Sequence, residues 1–363
     1  MKRMYSIFTA LALAGTCAGT PALGEPGPIA FEKNKPWVHE ETGMSFPPML
    51  AGFDLREIKD VSDSQSDVAL IYRDDSRKAL LSIFYFRAGL PDVSIWQDRV
   101  LSTIAKNAGG WGTLGEEPPS RSSFTPVNGV ADSGALLTVA LDGSQAYATG
   151  SAIMSTGEWL VAIRMTSHLF TEKELTDRLL DTIASLPLPA SAKSAPIGAS
   201  YVIEPCPPAL PQESAPRSSG DQQEAIMVGT LAIVTESKEL SDLFGHEPQS
   251  PHYCREQANG DNFSVYSDRV SREDHVIALN DAGVAIMVQY NPLKQRIEVS
   301  GNVYTPFMRS AEKTHFYRGF TAKPSIEQII DAVANESAIA SVDRSRTGGS
   351  HVTINVQSGS DKQ

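Results

Sequence analysis

The sequence predicts an α+β protein of two domains, each a mainly antiparallel sheet covered by helices. Short runs rich in β-branched and aromatic residues recur in both halves of the chain, and turn residues separate them. A few amphipathic helical patterns accompany these runs. A stretch rich in proline and serine, 191–224, is typical of an extended linker. The predicted domains are therefore 25–190 and 225–363, and the C-terminus of the second is expected to fray.

Paired strands open the first domain, and a three-stranded meander closes it. Between them, Trp96, Val100 and Ile104 repeat at the four-residue spacing of an amphipathic helix. Thr171 and Glu174 form a capping-box pattern, which predicts the start of a second helix. The predicted strands are 68–72, 80–86, 130–141, 145–154 and 158–166.

The second domain is also rich in predicted strands. A short helical turn is predicted at 240–244. Ser325 and Gln328 form another capping-box pattern, and the residues after them place isoleucine and valine on one helical face. The predicted strands are 226–235, 262–268, 275–279, 284–290, 295–304, 314–320 and 351–356.

Residues 1–24 have the features of an export signal. A positively charged start precedes an apolar stretch that is too short to span a bilayer. Ala22 and Gly24 are small residues at the −3 and −1 positions, so cleavage is predicted between Gly24 and Glu25. Cys17 lacks the preceding triplet of a lipoprotein signal and is expected to leave with the peptide. The protein is therefore expected in the periplasm or outside the cell.

The charge of the chain excludes some classes of partner. The formal net charge is −12, and it becomes −14 when Lys2 and Arg3 leave with the signal. Without a basic cluster, the chain is not expected to bind nucleic acid or an anionic lipid surface. No transmembrane segment is predicted in the mature chain. No cofactor is predicted, because no motif in the chain indicates one.

Cys206 and Cys254 are the cysteines that remain after the signal is removed. An even pair in an oxidising compartment favours a disulfide, which would tie the linker to the second domain. The alternative is a pair of free thiols or metal ligands. His246, Glu247, His252 and Cys254 form the densest potential ligand set and could surround zinc on a loop. A disulfide would remove Cys254 from that set.

Other motifs give no catalytic assignment. The residues 110–115 match G-x-G-x-x-G, but they follow a predicted helix and precede two glutamates, so they are interpreted as a helix stop. His39 beside Glu40 and Glu41, and His168 beside Ser167, are pairs that any chain of this length offers. Several aromatic residues of the second half could line a groove, although a core position is expected for them: Tyr304, Phe307, Phe316, Tyr317 and Phe320.

Part of the chain resembles a known family. The residues 42–47 (TGMSFP) open the first domain, and 157–163 (GEWLVAI) precede its closing amphipathic helix. With the paired strands and the first helix, these features make residues 36–187 resemble the PsbP-like fold of photosystem extrinsic proteins and bacterial envelope proteins. The resemblance implies mostly non-catalytic accessory, binding or assembly roles and carries no shared active-site residues. The second half resembles no family.

The sequence therefore favours an exported envelope protein with a non-catalytic binding or assembly role. Its partner would be another envelope protein or a small ligand, and no catalytic residue is assigned. The alternative is a small periplasmic hydrolase, possibly metal-assisted through the loop that carries His246 and His252.

Overall fold

The structure is a computed structural model. The residues that it describes are 27–62, 64–74, 79–107, 113–142, 146–189, 198–208, 214–218, 224, 228, 252–257, 260, 262–270, 272, 274–281, 283–290, 304–344 and 352–354. The predicted signal with its cleavage site at Gly24 and Glu25, the helical turn at 240–244 and His246 lie outside them. Within the described residues, the protein is mostly antiparallel sheet, arranged as two large sheets with three helices.

The first sheet has ten strands, and its order along the main path is β1-β5-β6-β7-β12-β11-β10-β8. Strand β4 pairs with β5, β9 pairs with β10, and β2 pairs with β3 in a separate two-stranded ribbon. The strands are β1 (Gly27–Pro28), β2 (Trp37–Val38), β3 (Ser45–Phe46), β4 (Met49–Leu50), β5 (Phe53–Asp60), β6 (Asp67–Asp74), β7 (Ala79–Arg87), β8 (Thr113–Leu114), β9 (Ser120–Phe124), β10 (Gly134–Asp142), β11 (Ala148–Ser155) and β12 (Trp159–Ser167).

Two helices pack on opposite faces of the β10–β12 part of this sheet. Helix α2 (Glu172–Ala184) begins at a capping box between Thr171 and Glu174, as the sequence predicts. Its buried face joins the core on one side of the sheet. Helix α1 (Val93–Asn107) packs against β10 and β11 from the other side.

The second sheet is an antiparallel meander of eight strands, in which each strand pairs with the next along the chain. Helix α3 (Ile326–Asn335) begins at a capping box between Ser325 and Gln328 and packs against this sheet. The strands are β13 (Tyr253–Arg255), β14 (Phe263–Asp268), β15 (His275–Leu279), β16 (Val284–Tyr290), β17 (Tyr304–Arg309), β18 (Lys313–Phe316), β19 (Ala340–Asp343) and β20 (Val352–Ile354).

The first two turns of helix α1 lie between the two sheets and are buried on every side. Eight consecutive residues, 93–100, are buried, so the helix has no solvent-facing stripe over its first two turns. One continuous core contains α1, the facing side of the first sheet, and Tyr266, Val276 and Ala285 of the second sheet. The division into two domains stays a prediction, but the two halves share this core.

A second contact joins the sheets next to α1. The backbone N–H of Gly89, just after β7, donates to the carbonyl of Gly283 at 2.7 Å. A Cβ atom at position 89 would lie 2.3 Å from the carbonyl oxygen of Arg309, so only glycine fits this approach. Arg344 lies at the same junction, is buried, and donates to the carbonyl of Ala88. The loop after β7 is therefore held against the second sheet by backbone groups.

Several elements differ from the sequence prediction. The strands at 275–279 and 284–290 have the predicted bounds, whereas β17 begins at Tyr304, where the predicted strand 295–304 ends. Val228 is helical rather than part of the predicted strand 226–235, and the rest of that strand lies outside the described residues. Strands β5, β9, β13 and β19 are not among the predicted strands. Strand β9 is rich in serine and β13 has only three residues, so neither has the apolar run that predicts a strand.

In the described part of the chain, no helix combines the length and the apolar character needed to cross a bilayer.

The shared core predicts that the two sheets lose stability together. Ile95 is fully buried in this core, so Ile95→Ala should lower the free energy of unfolding by about 2–4 kcal/mol. Native-state hydrogen exchange should then accelerate in β10–β12 and in β14–β16 alike. Leu180→Ala is the control, because Leu180 is exposed on α2, and it should change stability by less than about 0.5 kcal/mol. Faster exchange in one sheet alone would contradict the shared core.

Candidate ligand pocket

The residues 198–208 cross from the first sheet to the second along the N-terminal half of α1. At one end, Ser200 donates its backbone N–H to the carbonyl of Asp132 beside β10. At the other end, the backbone of Cys206 donates to the carbonyl of Arg255 in β13 at 2.8 Å. We call 198–208 the crossing segment. It belongs to the predicted linker, and it is bonded to both sheets.

A disulfide fixes the far end of the crossing segment. The sulfur atoms of Cys206 and Cys254 lie 2.02 Å apart, which is the pairing that the cysteine count predicts. Both cysteines are buried. The bridge closes a loop across a sequence separation of 48 residues, which corresponds to a stabilisation of about 4 kcal/mol in the chain-entropy model. The crossing segment is therefore attached covalently to the edge of the second sheet.

A pocket of about 190 Å³ lies between α1, the edge strand β9, the start of β10 and the crossing segment. Its walls combine an apolar part, formed by side chains such as Leu137 and Ile203, with a polar part. The polar part is contributed by Ser94, Gln97, Asp98, Arg121, Ser122, Ser123 and Ser200. An apolar lining with a few placed polar groups is typical of a small-molecule site.

Asp98 is the carboxylate at this pocket, and it is paired before any ligand binds. Its side chain is 2% exposed, and its Oδ1 accepts from Arg255 Nη1 at 2.6 Å. The Tyr266 hydroxyl donates to Oδ2 at 3.1 Å. Both partners lie in the second sheet, so a carboxylate on α1 is neutralised from across the junction. Removal of one partner from such a buried pair leaves an uncompensated charge.

Arg121 is the second charged residue of the pocket and is only weakly paired. Its Nη1 lies 3.9 Å from Asp98 Oδ1, beyond hydrogen-bonding distance. This ion pair is the one polar contact of its guanidinium within the described residues. The side chain is 27% exposed. Arg121 therefore presents most of its N–H donors to the pocket.

Gln97 adds an unused acceptor. Its side chain is 8% exposed, and its Nε2 donates to the carbonyl of Ser151 in β11 at 3.2 Å. Its Oε1 is buried and has no hydrogen-bond partner among the described residues. Buried polar atoms are normally bonded to protein or to water. The amide of Gln97 therefore lies within the contact between α1 and β11, and its oxygen is not open to the pocket.

Asp92 lies at the start of α1, next to the crossing segment. Burial raises the pKa of its carboxyl to about 6, against the hydrogen bonds from Ile95 and Ser94 and the charge of His252, which lower it. The His252 ring lies 4.5 Å from the Tyr201 ring, and Tyr201 accepts the backbone N–H of Tyr253 through its hydroxyl. Burial also raises the pKa of Tyr201. His252 thus contacts the wall of the pocket from outside.

The metal-loop hypothesis loses one of its ligands. Cys254 is bonded to Cys206 and cannot act as a thiolate ligand. His252 is described, whereas His246 and Glu247 lie outside the described residues. Within the residues that the structure describes, no three His, Cys, Asp or Glu side chains are grouped so that they could hold a metal ion.

Neither of the two histidines considered for a hydrolase, His39 and His168, lies beside an accessible serine that it could activate. Both ring nitrogens of His39 are occupied, one by the carbonyl of Gln65 at 2.8 Å and the other by Thr42. His168 is exposed, and its neighbour Ser167 is buried, accepting the backbone N–H groups of the next turn. Neither arrangement offers an accessible serine next to a free imidazole.

A serine, a histidine and an acid do meet in the second sheet. The Ser267 hydroxyl donates to Glu256 Oε1 at 2.7 Å and lies 2.8 Å from Nδ1 of His275. Ser267 is the central member of this hydrogen-bonded set of three residues, whereas the triad of a hydrolase requires histidine in the central position. Ser267 is also fully buried. This set is a buried polar network rather than a nucleophile open to substrate.

The aromatic residues considered for a groove belong to the core of the second half. All five are buried, with exposed fractions between 1% and 9%: Tyr304, Phe307, Phe316, Tyr317 and Phe320. Trp111, within the G-x-G-x-x-G match, lies outside the described residues. The end of that match forms β8, two residues at the sheet edge.

A second pocket of about 270 Å³ is less suited to a ligand. It lies beside His39 and is lined by acidic side chains, including Glu40, Glu41 and Asp60. Asp60 already accepts the backbone N–H groups of Ser62 and Gln65. With the His39 nitrogens occupied as well, the polar groups of this pocket hold the local turns together.

Arg121 and Gln97 were not predicted as site residues. Arg121 stands in a serine-rich strand without a motif, and its neighbour Asp98 is 23 positions earlier in the chain. The signal that could have indicated a polar site on α1 is the run of an amide, a carboxylate and a guanidinium at 97–99, between the apolar residues Trp96 and Val100.

No family model, curated protein or solved structure matches this chain. The resemblance of residues 36–187 to the PsbP-like fold therefore stays a prediction.

Neutralising Asp98 should destabilise the protein. Asp98→Asn removes the buried carboxylate and leaves Arg255 and Arg121 without their anion, so we expect a loss of roughly 3 kcal/mol in the free energy of unfolding. Urea unfolding at pH 7 measures it. Asp54→Asn is the matched control, since its pair with Arg56 is about half exposed, and it should change stability by less than about 1 kcal/mol. Equal losses in the two variants would contradict this role for Asp98.

Asp92 should make stability depend on pH. The folded protein keeps the Asp92 proton up to about pH 6, whereas the unfolded chain releases it near pH 3.8, so the folded state loses stability as the pH rises through this window. Asp92→Asn removes this loss and still accepts the Ile95 N–H. The stability of the variant relative to the unchanged protein should rise by about 2 kcal/mol between pH 4 and pH 7. Urea unfolding of both proteins at the two pH values provides the test, and a difference that is the same at both would refute it.

Proposed function

We propose that this protein is a non-catalytic binding protein of the cell envelope and that its ligand site is the pocket beside α1. The observation that carries the proposal is the polar lining of that pocket. A guanidinium whose one polar contact among the described residues is a 3.9 Å ion pair lines a cavity that also has an apolar wall. Such a cavity is able to hold a small polar molecule.

The chemistry of the lining supports binding rather than turnover. The pocket is lined by four serines but by no histidine, lysine or cysteine. Asp98, its carboxylate, is occupied by Arg255 and Tyr266, so it is not available as a general base for a serine hydroxyl. A hydrolase would need an activated nucleophile at this place.

The envelope location rests on two further observations. Residues 1–24 have the pattern of an export signal. The bond between Cys206 and Cys254 is the kind of cross-link that persists in an oxidising compartment. This bond also holds one wall of the proposed site, which ties the integrity of the pocket to that compartment.

A ligand screen with a blocked pocket tests the proposal. Ser123 lines the pocket on β9 and lies on the same face of the strand as Arg121, so Ser123→Trp should fill it. Ser120 lies on the opposite face and outside the lining. Small polar compounds that stabilise the unchanged protein should fail to stabilise Ser123→Trp and should still stabilise the matched control Ser120→Trp. A compound at 100 times its Kd should contribute about 2.7 kcal/mol, measured as a rise in Tm.

Two results would contradict the proposal. One is a set of stabilising compounds that act equally on Ser123→Trp and Ser120→Trp, because the site would then lie elsewhere. The other is turnover of an ester, peptide or glycoside by the purified protein, which would favour the hydrolase alternative.

A further inference from the structure

We infer that the pocket beside α1 takes a small organic carboxylate. The inference rests on the proposed function and specifies the chemical class of its ligand. It follows from the charge balance around Asp98, from the weak pairing of Arg121, and from the volume of the cavity.

Two guanidinium groups lie near one carboxylate, so one of the two positive charges is not fully balanced. Arg255 and Arg121 both approach Asp98 Oδ1, at 2.6 Å and 3.9 Å respectively. The shorter pair is also a hydrogen bond, and with the Tyr266 hydroxyl it occupies both oxygens of the carboxylate. Two guanidinium groups therefore share one carboxylate, and the surplus positive charge belongs to Arg121.

The positive charge of Arg121 is opposite in sign to the net charge of the chain. The protein as a whole has a formal net charge of −12, so an anion is not drawn to its surface in general. At the pocket, however, Arg121 is the one residue of positive charge in the lining, and it faces a partly enclosed cavity. Arginine presents a planar fork of donors that matches a carboxylate with two parallel hydrogen bonds. An anionic ligand would give Arg121 the hydrogen-bonded partner that Asp98, already bonded to Arg255 and Tyr266, does not provide.

The size and the apolar wall limit the rest of the molecule. An apolar cavity of about 150 Å³ holds benzene, and this pocket is about 190 Å³. The side chains of Leu137 and Ile203 form part of its wall. A short aliphatic or single-ring acid satisfies both limits, of which 3-hydroxybutyrate and a hydroxybenzoate are examples.

Matched ligand pairs test the inference on the full protein with its disulfide intact. The probes are 3-hydroxybutyrate, 4-hydroxybenzoate and valerate, each beside its neutral primary amide, and binding is measured by titration calorimetry at pH 7.5 and low salt. We expect each acid to bind at least tenfold more tightly than its amide. Valerate should show the same preference as the hydroxy acids, because the preference rests on the carboxylate.

Substitutions at Arg121 assign the preference to its guanidinium. Arg121→Gln should reduce the acid-to-amide ratio to below about two, and Arg121→Lys should retain part of it, which also guards against a loss caused by misfolding. Arg73→Gln is the matched control, because Arg73 is exposed on β6 away from the pocket, and it should leave the ratio unchanged.

The outcomes separate this inference from the proposed function. If amides bind as tightly as acids and Ser123→Trp blocks both, the pocket is a ligand site but the carboxylate class is wrong. If acids bind and Arg121→Gln leaves their affinity unchanged, the inference is overturned as well. If no probe of either charge binds the unchanged protein, the inference and the proposed pocket both fail.

Discussion

The ion pair between Asp98 and Arg255 is the interaction on which the arrangement of this protein depends. It joins a helix encoded in the first half of the chain to a strand encoded more than 150 positions later. Asp98 is buried, so the helix cannot expose this charge to water and must meet its partner. The buried Arg99 next to it donates to Asn280, again across the junction. Helix α1 is therefore stable as a buried element only when both sheets are in place.

The disulfide and the ion pair act on the same strand. Cys254 and Arg255 are neighbours in β13, so one residue fixes the crossing segment and the next fixes α1. The wall of the pocket and the helix beside it are thus held by adjacent positions of one edge strand. A site that depends on placement within a few tenths of an ångström benefits from this kind of support, because its polar groups keep their geometry without a ligand.

Local elements could be predicted from the sequence, whereas the junction could not. The capping boxes at Thr171 and Ser325 involve partners three residues away, so the pattern alone indicates where α2 and α3 begin. The bounds of β15 and β16 follow from their apolar runs. The partners of Asp98 and Arg99 lie more than 150 residues away, and no local pattern indicates them. For the same reason the crossing segment, rich in proline, was interpreted as a linker, although backbone bonds attach it to both sheets.

The polar residues of α1 have an energetic meaning that the pocket explains. A helix enclosed by two sheets would be at least as stable with apolar side chains at 97, 98 and 99, because buried ion pairs seldom repay their desolvation. The chain instead places an amide, a carboxylate and a guanidinium there, and it leaves Gln97 Oε1 without a described partner. Departures from the rules of core packing are expected where function requires them. Arg121, whose charge is only partly balanced at 3.9 Å, lies beside the same turn of the helix. Asp98 and Arg121 thus bring a carboxylate and an incompletely balanced guanidinium to the same cavity, and a bound anion would complete the charge balance there.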